Sequence, residues 1–418
     1  MSQATKWEVL FVSHKYPPAT GGMEKQSYEL IHGVSHFTKV HKLVYRKGSG
    51  SILSFFFHLN HRILKILKEN PNIKLIHFND GLIASLALFH KGYSNYRKVV
   101  TLHGLDVVFP WAYFQKKILP RFNQFYDKII TVSHATAKAA IDRGIYPDLI
   151  RVIQNGVDLD LAQSALPNRE ELHKRYPEIS PDQPYMLTLG RPVKRKGFSW
   201  LLREVVPLMP NDFKLYMIGP FNPKASFAER CMNILPKKFR HLLNLFLGYP
   251  SDEAAIRKLI KQPDIASKVQ HLGKVPFSDL KLLLANSSAF LMPNIEVPGD
   301  MEGFGLVCLE ASLSGSLVLA SGIEGITDAI RHQQNGLLLP SKDVLFWKQQ
   351  LTDVMQKELP YQIMAKKFQE ASKKLYSWEK MSTAYFEVFH SLVQDEGPHT
   401  ASSDALLAEL TRGKDSAF

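Results

Sequence analysis

Short, continuously apolar runs alternate with helical patterns along almost the whole chain. Strands buried on both faces read this way, because helices cover both sides of a parallel sheet. The runs Trp7–Ser13, Lys42–Arg46, Ile73–Phe78, Lys98–Leu102 and Lys128–Val132 predict one set of strands. A second set is predicted at Tyr185–Leu189, Lys214–Ile218, Val269–Leu272, Ala289–Met292, Leu317–Ala320 and Gly336–Leu339, with helices between them. Several runs end in Gly, His, Asn or Asp, at the edge where an open α/β sheet presents its ligand-binding loops.

This order predicts an α/β architecture of two successive doubly wound, Rossmann-like parallel-sheet domains. Residues 1–163 form the N-terminal domain and residues 185–375 the C-terminal one, with the polar, proline-bearing segment Ser164–Pro184 read as the linker. Residues 376–393 are expected to form a C-terminal helix that crosses back to the N-terminal domain; Trp378–Val393 is amphipathic. Beyond Gln394 the chain turns polar and small, so residues 394–418 are expected to be a flexible tail, apart from a short helix at Ala405–Leu410. Two stretches read as additions: the aromatic-rich Ser51–Leu67, and Phe221–Gln262 with eight Lys+Arg against three Asp+Glu. A basic, apolar stretch of this kind can lie in a membrane interface or pack as an ordinary insertion, and both readings stand.

Composition narrows the picture. The 418 residues are 45% hydrophobic and 22% charged, values of an ordinary globular protein long enough for two or three domains. No run of about 20 apolar residues is present, and the N-terminus runs into a strand with no signal-peptide core. The two cysteines, Cys231 and Cys308, suggest no disulfide framework or metal spacing, and fit a reducing cytoplasm. The net charge is +13, and residues 1–166 alone hold 21 Lys+Arg against 11 Asp+Glu. Such a surplus seeks an anion. No nucleic-acid motif accompanies it, so an anionic membrane surface or phosphorylated lipid is the expected partner, against the plain reading of a well-solvated basic surface, with the protein expected in the cytoplasm or peripheral at the inner face of the cytoplasmic membrane.

Candidate chemistry lies on the loops after the strands. Glu302-Gly303-Phe304-Gly305-Leu306-Val307-Cys308-Leu309-Glu310 sets two carboxylates around a Gly-Phe-Gly turn that opens an apolar run. If that run is a helix, its N-terminus offers unpaired N–H groups to an anion, and Glu310 lies about two turns in, roughly on the side of Glu302. The bland reading is a chance pair with one acid favoured by the helix dipole. Gly21 and Gly22, after the first strand, permit positive φ and close backbone approach, so they can cradle a phosphate or an acceptor. His103-Gly104-Leu105-Asp106 ends the fourth strand, where a histidine can serve a site or the structure alone. Ser133-His134 and Gln154-Asn155-Gly156-Val157-Asp158 are further loop signatures. Arg191 and Lys196, in Gly190-Arg191-Pro192-Val193-Lys194-Arg195-Lys196-Gly197, are cations suited to a diphosphate, against the bland reading of a solvated basic loop. Pro293–Asp300 leads into the two-glutamate motif, and Ser321–Asp328 forms another strand-to-helix turn.

Taken in order, the Gly-Gly loop with Glu24, His103-Gly104-x-Asp106, Asn155-Gly156-Val157-Asp158, Arg191 with Lys196-Gly197, and Glu302-x7-Glu310 resemble the retaining glycosyltransferases of family 4. The resemblance covers about residues 8–390 and implies the GT-B fold, two Rossmann-like domains facing each other across a cleft. It implies that Arg191 and Lys196 bind the donor diphosphate and that Glu302 contacts sugar hydroxyls beside the backbone of Gly303, Phe304, Gly305 and Leu306. Glu310 is then expected on the ribose, His103 near the sugar at the reacting centre, and Gly21 and Gly22 near donor phosphate and acceptor. One departure stands out: the family's Gly-Gly-x-Pro-Glu turn here reads Gly325-Ile326-Thr327-Asp328. The expected reaction moves a hexose from GDP-mannose, UDP-glucose or UDP-N-acetylglucosamine to a glycan or lipid-linked acceptor, as in cell-surface polysaccharide or lipopolysaccharide synthesis. No cofactor is expected beyond that co-substrate, and the sequence requires no metal ion. A sugar-nucleotide 2-epimerase of the same architecture and a non-catalytic scaffold are the alternatives.

Overall fold

The computed structural model describes residues 6–162, 168–224, 236–247 and 251–394. Among these residues, twelve strands form two six-stranded sheets whose strand pairs are all parallel. The first sheet comprises β1 (Glu8–Ser13), β2 (Val40–Val44), β3 (Ile73–Phe78), β4 (Arg97–Leu102), β5 (Lys128–Thr131) and β6 (Ile150–Val152), in the order β2-β1-β3-β4-β5-β6. The second comprises β7 (Met186–Leu189), β8 (Leu215–Ile218), β9 (Val269–Gly273), β10 (Ala289–Met292), β11 (Val318–Ser321) and β12 (Leu337–Leu339), in the order β12-β11-β10-β7-β8-β9. The order reverses between β1 and β3 in one sheet and between β7 and β10 in the other. At such switch points the loops leaving the strands part, and ligands bind outside the carboxyl ends.

Contacts divide the chain into two units, one running to Val157 and resuming at Tyr376, the other spanning Asp158–Leu375. In the first unit Val9, Phe11, Leu75, Val99 and Ile130 form one apolar face of the sheet. Helix Trp378–Gln394 covers it with Met381, Tyr385, Phe389 and Leu392, residues spaced along one stripe of a helix. Phe389 meets Phe11 edge-on at 5.9 Å, and the Tyr385 hydroxyl lies 3.1 Å from the Thr101 hydroxyl. The second unit builds its core from Leu201, Val205, Phe213, Leu215, Leu291 and Trp347 on one side of its sheet. Leu187, Phe290, Met292, Val318 and Ile326 form the core on the other.

Three expectations change. Residues 164–184 are not a bare linker in their described part: Asn168 caps helix Arg169–Arg175, and Leu172 and Ile179 enter a core of the second unit. Those apolar positions are masked in sequence by the polar residues around them. The stretch 221–262 is partly core as well, because helix Glu253–Leu259 buries Ile256 and Leu259 there. Its residues 225–235 and 248–250, and the expected tail helix Ala405–Leu410, lie outside the described residues. Strand β6 was not expected from the apolar runs.

Candidate active site

The loop after β7 and the loop after β10 meet at the switch point of the second sheet. Gly197 closes the first loop at φ 67, a left-handed conformation that β-carbons resist. A Cβ there would run into the Pro293 carbonyl of the other loop, so glycine is what lets the two backbones touch. The Ile295 amide then donates to the Arg195 carbonyl at 2.9 Å. Gly305, at φ 88 and ψ 41, turns the second loop into helix Leu306–Leu313, which buries Cys308, Leu309, Ala311, Ser312 and Leu313. Glu302 therefore sits on a clamped loop just before a helix N-terminus, as the spacing predicted.

Around Glu302 the charges interlock. Lys196 Nζ lies 2.8 Å from Glu302 Oε2, Arg195 Nε 3.4 Å from the same oxygen, and Asn294 Nδ2 donates to it at 3.4 Å. Burial alone would raise the Glu302 pKa, but Lys196 and Arg195 outweigh it and hold the carboxyl down at about 2. Arg195 also pairs with Asp300 through Nη1 at 3.3 Å. Lys196, Asn294 and Asp300 are buried. The structure thus brings Lys196 and Glu302 into direct contact, while Arg191 stands on the exposed part of the same loop and Glu310 lies half-buried on the helix. Lys196 keeps donor capacity beyond its Glu302 contact, since an ammonium has three N–H groups. Cys308, close behind, is pushed up to about 12 by burial and is no nucleophile.

A third loop, after β11, closes on the same place. The Glu302 amide donates to Glu324 Oε2 at 2.6 Å and the Gly325 amide donates back to the Glu302 carbonyl at 3.0 Å. A Cβ on Gly325 would strike the Gly303 carbonyl. Burial, and then the neighbouring Glu302 carboxylate, raise Glu324 to about 7. Arg195, Asn294, Asp300 and Glu324 are thus site residues that motif reading quoted without a role. Nothing in linear spacing shows that three loops converge on one residue.

In the first unit the carboxyl ends of β1, β3 and β4 carry a second polar cluster. His103 half-emerges after β4, its Nε2 hydrogen-bonded to the Asn79 carbonyl at 2.9 Å. A carbonyl only accepts, so Nε2 bears the proton and, in the neutral ring, Nδ1 carries the lone pair. The Asp106 carboxylate accepts the His103 amide at 2.8 Å and the Gly81 amide at 3.0 Å, locking the turn. His14, unforeseen in sequence, places Nδ1 2.8 Å from Asp80 Oδ2. Burial raises the Asp80 carboxyl, but His14 outweighs it and the pKa is lowered. Gly21 and Gly22 do not use the freedom expected of them: Gly21 is extended (φ 167, ψ 168) and neither residue lies in the left-handed region. A Cβ on Gly22 would meet nothing within 4 Å, so the space around it does not require glycine.

One Asp-x-Asp triplet, Asp158-Leu159-Asp160, opens the second unit, where the Asp158 carboxylate accepts the Asp160 amide at 3.2 Å. Among the described residues no group of three or more His, Cys, Asp or Glu is arranged to hold a metal ion.

Comparison with known proteins matches both units. Residues 3–161 match Glycosyltransferase Family 4 and residues 169–375 match Glycosyl transferases group 1. A glycosyltransferase of Methanocaldococcus jannaschii is 24% identical over 380 residues, covering 88% of this chain and 87% of its own. A GDP-mannose-dependent α-(1-6)-phosphatidylinositol monomannoside mannosyltransferase of Mycobacterium tuberculosis is 24% identical over 364 residues, 80% of this chain and 86% of its own. Among solved structures, Anabaena HepE in complex with UDP has a TM-score of 0.70 at 17% identity, over 92% of this chain and 100% of that one. Sucrose-phosphate synthase of Thermosynechococcus elongatus has a TM-score of 0.71 at 18% identity, over 92% and 99%. The chain belongs to the family 4 glycosyltransferases, enzymes of the GT-B type.

Proposed function

We propose that the protein moves a hexose from a nucleoside-diphosphate sugar to a hydroxyl of a glycan or lipid-linked acceptor, with retention at the anomeric carbon and without a bound metal. The observation that carries this reading is the ion-paired cluster of Lys196, Arg195 and Glu302 at the switch point of the second sheet. It combines a held carboxylate for sugar hydroxyls with cations for a diphosphate, beside the N-terminus of helix Leu306–Leu313. Support for the donor class comes from relatives: HepE has been solved with UDP-glucose, and the mycobacterial enzyme is GDP-mannose-dependent. Glu302 takes the sugar with the backbone of Gly303, Phe304, Gly305 and Leu306, Glu310 the ribose, and Arg191 with Lys196 the phosphates. His103 Nδ1 accepts a hydrogen bond from a sugar hydroxyl, and the open backbone at Gly22 admits phosphate or acceptor.

Breaking the anomeric C–O bond leaves the electron pair, and so negative charge, on the departing phosphate oxygen. Arg191, Lys196 and the helix tip stabilise that charge without having to reorganise. The acceptor hydroxyl attacks the face the phosphate leaves, its oxygen bonding to the anomeric carbon and its proton passing to the phosphate. The acceptor belongs to cell-surface polysaccharide or lipopolysaccharide synthesis. Work at a membrane face is supported by Leu53 and Phe57, 75% and 86% exposed, ahead of the basic face of helix Leu59–Glu69.

The test is thermal-shift binding of the full-length protein with GDP-, UDP- and ADP-sugars and the free nucleotides. A concentration-dependent shift with one base, lost in Lys196→Ala and Glu310→Ala, is expected. Turnover of that donor should fall at least about 100-fold in Glu302→Ala or Lys196→Ala. Near-normal turnover in either variant removes that residue from the mechanism. No shift with any nucleotide from folded protein sinks the donor reading.

A further inference from the structure

Glu324 occupies a place that costs it twice. Its backbone sits at φ 52, one of three non-glycine residues in the left-handed region among the described residues, with Gln333 and Lys342. That region favours Gly, Asn or Asp, and holding another residue there is a strain the surroundings must offset. Its carboxylate is also largely withdrawn from water beside a second, permanently ionised one, Glu302. Side chains retained under two such penalties mark functional positions more often than structural ones.

What the carboxylate does in return is specific. Oε2 accepts the Glu302 amide at 2.6 Å, and the Gly325 amide returns a bond to the Glu302 carbonyl at 3.0 Å. The loop after β11 therefore grips both peptide groups of the residue that carries the sugar-side carboxylate. Lys196, Arg195 and Asn294 fix the Glu302 side chain; Glu324 fixes its main chain.

We propose that Glu324 is the positioning residue for sugar recognition, holding the Glu302 loop in register so that the nucleotide-sugar, and not the nucleotide alone, gains from its presence. The inference rests on the donor reading of Glu302 given above. The charged groups facing Glu324 are Glu302 and Asp300 on the loop after β10 and Arg195 on the loop after β7, with Lys196 behind Glu302. With Glu324 ionised, three carboxylates (Asp300, Glu302 and Glu324) stand against two cations, Arg195 and Lys196. With Glu324 protonated the count is even. A diphosphate arriving beside the cluster adds negative charge and so favours the protonated form, and by linkage donor binding takes up a proton.

The experiment is isothermal titration of the full-length protein with two pairs, UDP-glucose with UDP and GDP-mannose with GDP, from about pH 6 to about pH 8.5. Variants are Glu324→Gly, which removes the carboxylate and relieves the φ, and Glu324→Gln, which keeps an oxygen to accept the Glu302 amide. In the pair that wild type binds, Glu324→Gly should bind the sugar-nucleotide about tenfold more weakly, a change of about 1.4 kcal/mol, and the free nucleotide no more weakly than wild type does. Wild-type affinity for the sugar-nucleotide should fall as pH rises through about 7, while Glu324→Gln restores affinity and flattens the pH profile. Equal weakening of both members of the pair, or undiminished sugar-nucleotide binding in Glu324→Gly, overturns the assignment. If wild type binds neither pair, the donor reading fails first and takes this inference with it.

Discussion

Burial works against both Glu302 and Glu324, yet their carboxyls settle on opposite sides of the ordinary range. Glu302, held by Lys196 and Arg195, is lowered from 4.5 to about 2, so its stabilisation is present above the unfolded pKa and is lost as pH falls toward 2. Glu324 is raised from 4.5 to about 7, so its contribution is full below 4.5 and is lost as pH rises through 7. Each limb is worth on the order of 3 kcal/mol. Urea denaturation against pH should therefore show stability falling toward alkali through neutrality, and Glu324→Gln should remove that decline while leaving the acid limb. An unchanged alkaline limb in the variant would assign the decline elsewhere. The places of Arg191, Lys196, Glu302 and Glu310 on strand-end loops and a helix were legible, because such loops and a helix start can be read from pattern. The ring of Arg195, Asn294 and Glu324 was not, because hydrogen bonds to Glu302 from residues 107, 8 and 22 positions away along the chain leave no periodic trace. At Gly21 and Gly22 the left-handed freedom that a glycine pair permits is not used, which only the backbone angles decide.

Elements fared better than side chains, and the exceptions have causes. Apolar runs located every strand except β6, where Ile150-Arg151-Val152 is three residues long, ends its sheet and exposes the arginine. An edge strand with one open side carries no continuous apolar signal. Strand β2 lies slightly ahead of its expected place for the same reason, being half-buried except at Lys42, which is exposed. Helix Leu59–Glu69 shows how a surface element divides its faces. Leu59, Ile63 and Leu67 are buried at helical spacing, while Arg62, Lys65 and Lys68 face out. Exposed Leu53 and Phe57, just before it, fit insertion into an anionic interface. In sedimentation with phosphatidylglycerol-containing vesicles, Leu53→Asp with Phe57→Asp should cut association at least about tenfold, with thermal unfolding unchanged. Equal association of variant and wild type would free these residues from any membrane role.

At the scale of the molecule the two units are unequal in one respect. The second is a single stretch, Asp158–Leu375, with cores on both faces of its sheet. The first is split, and its sheet is completed by residues from the far end of the chain. A fragment of residues 158–375 should therefore fold alone and keep the nucleotide shift of the intact protein. A chain ending at residue 375 should lose the cover over Val9, Phe11 and Leu75 and lack a cooperative transition for its first unit. A cooperative first-unit transition in the shortened chain would show that the terminal helix is dispensable.

That split also sets a timetable. A ribosome adding ~5–20 residues per second needs roughly ten to fifty seconds to travel from the end of the first sheet to the close of helix Trp378–Gln394. Throughout that interval the earlier half waits with a bare apolar face while the later half is finished. Birth order and completion order are thus reversed. Interrupted synthesis yields a finished second unit tethered to an open sheet, a product fit for chaperones and proteases rather than a half-working enzyme.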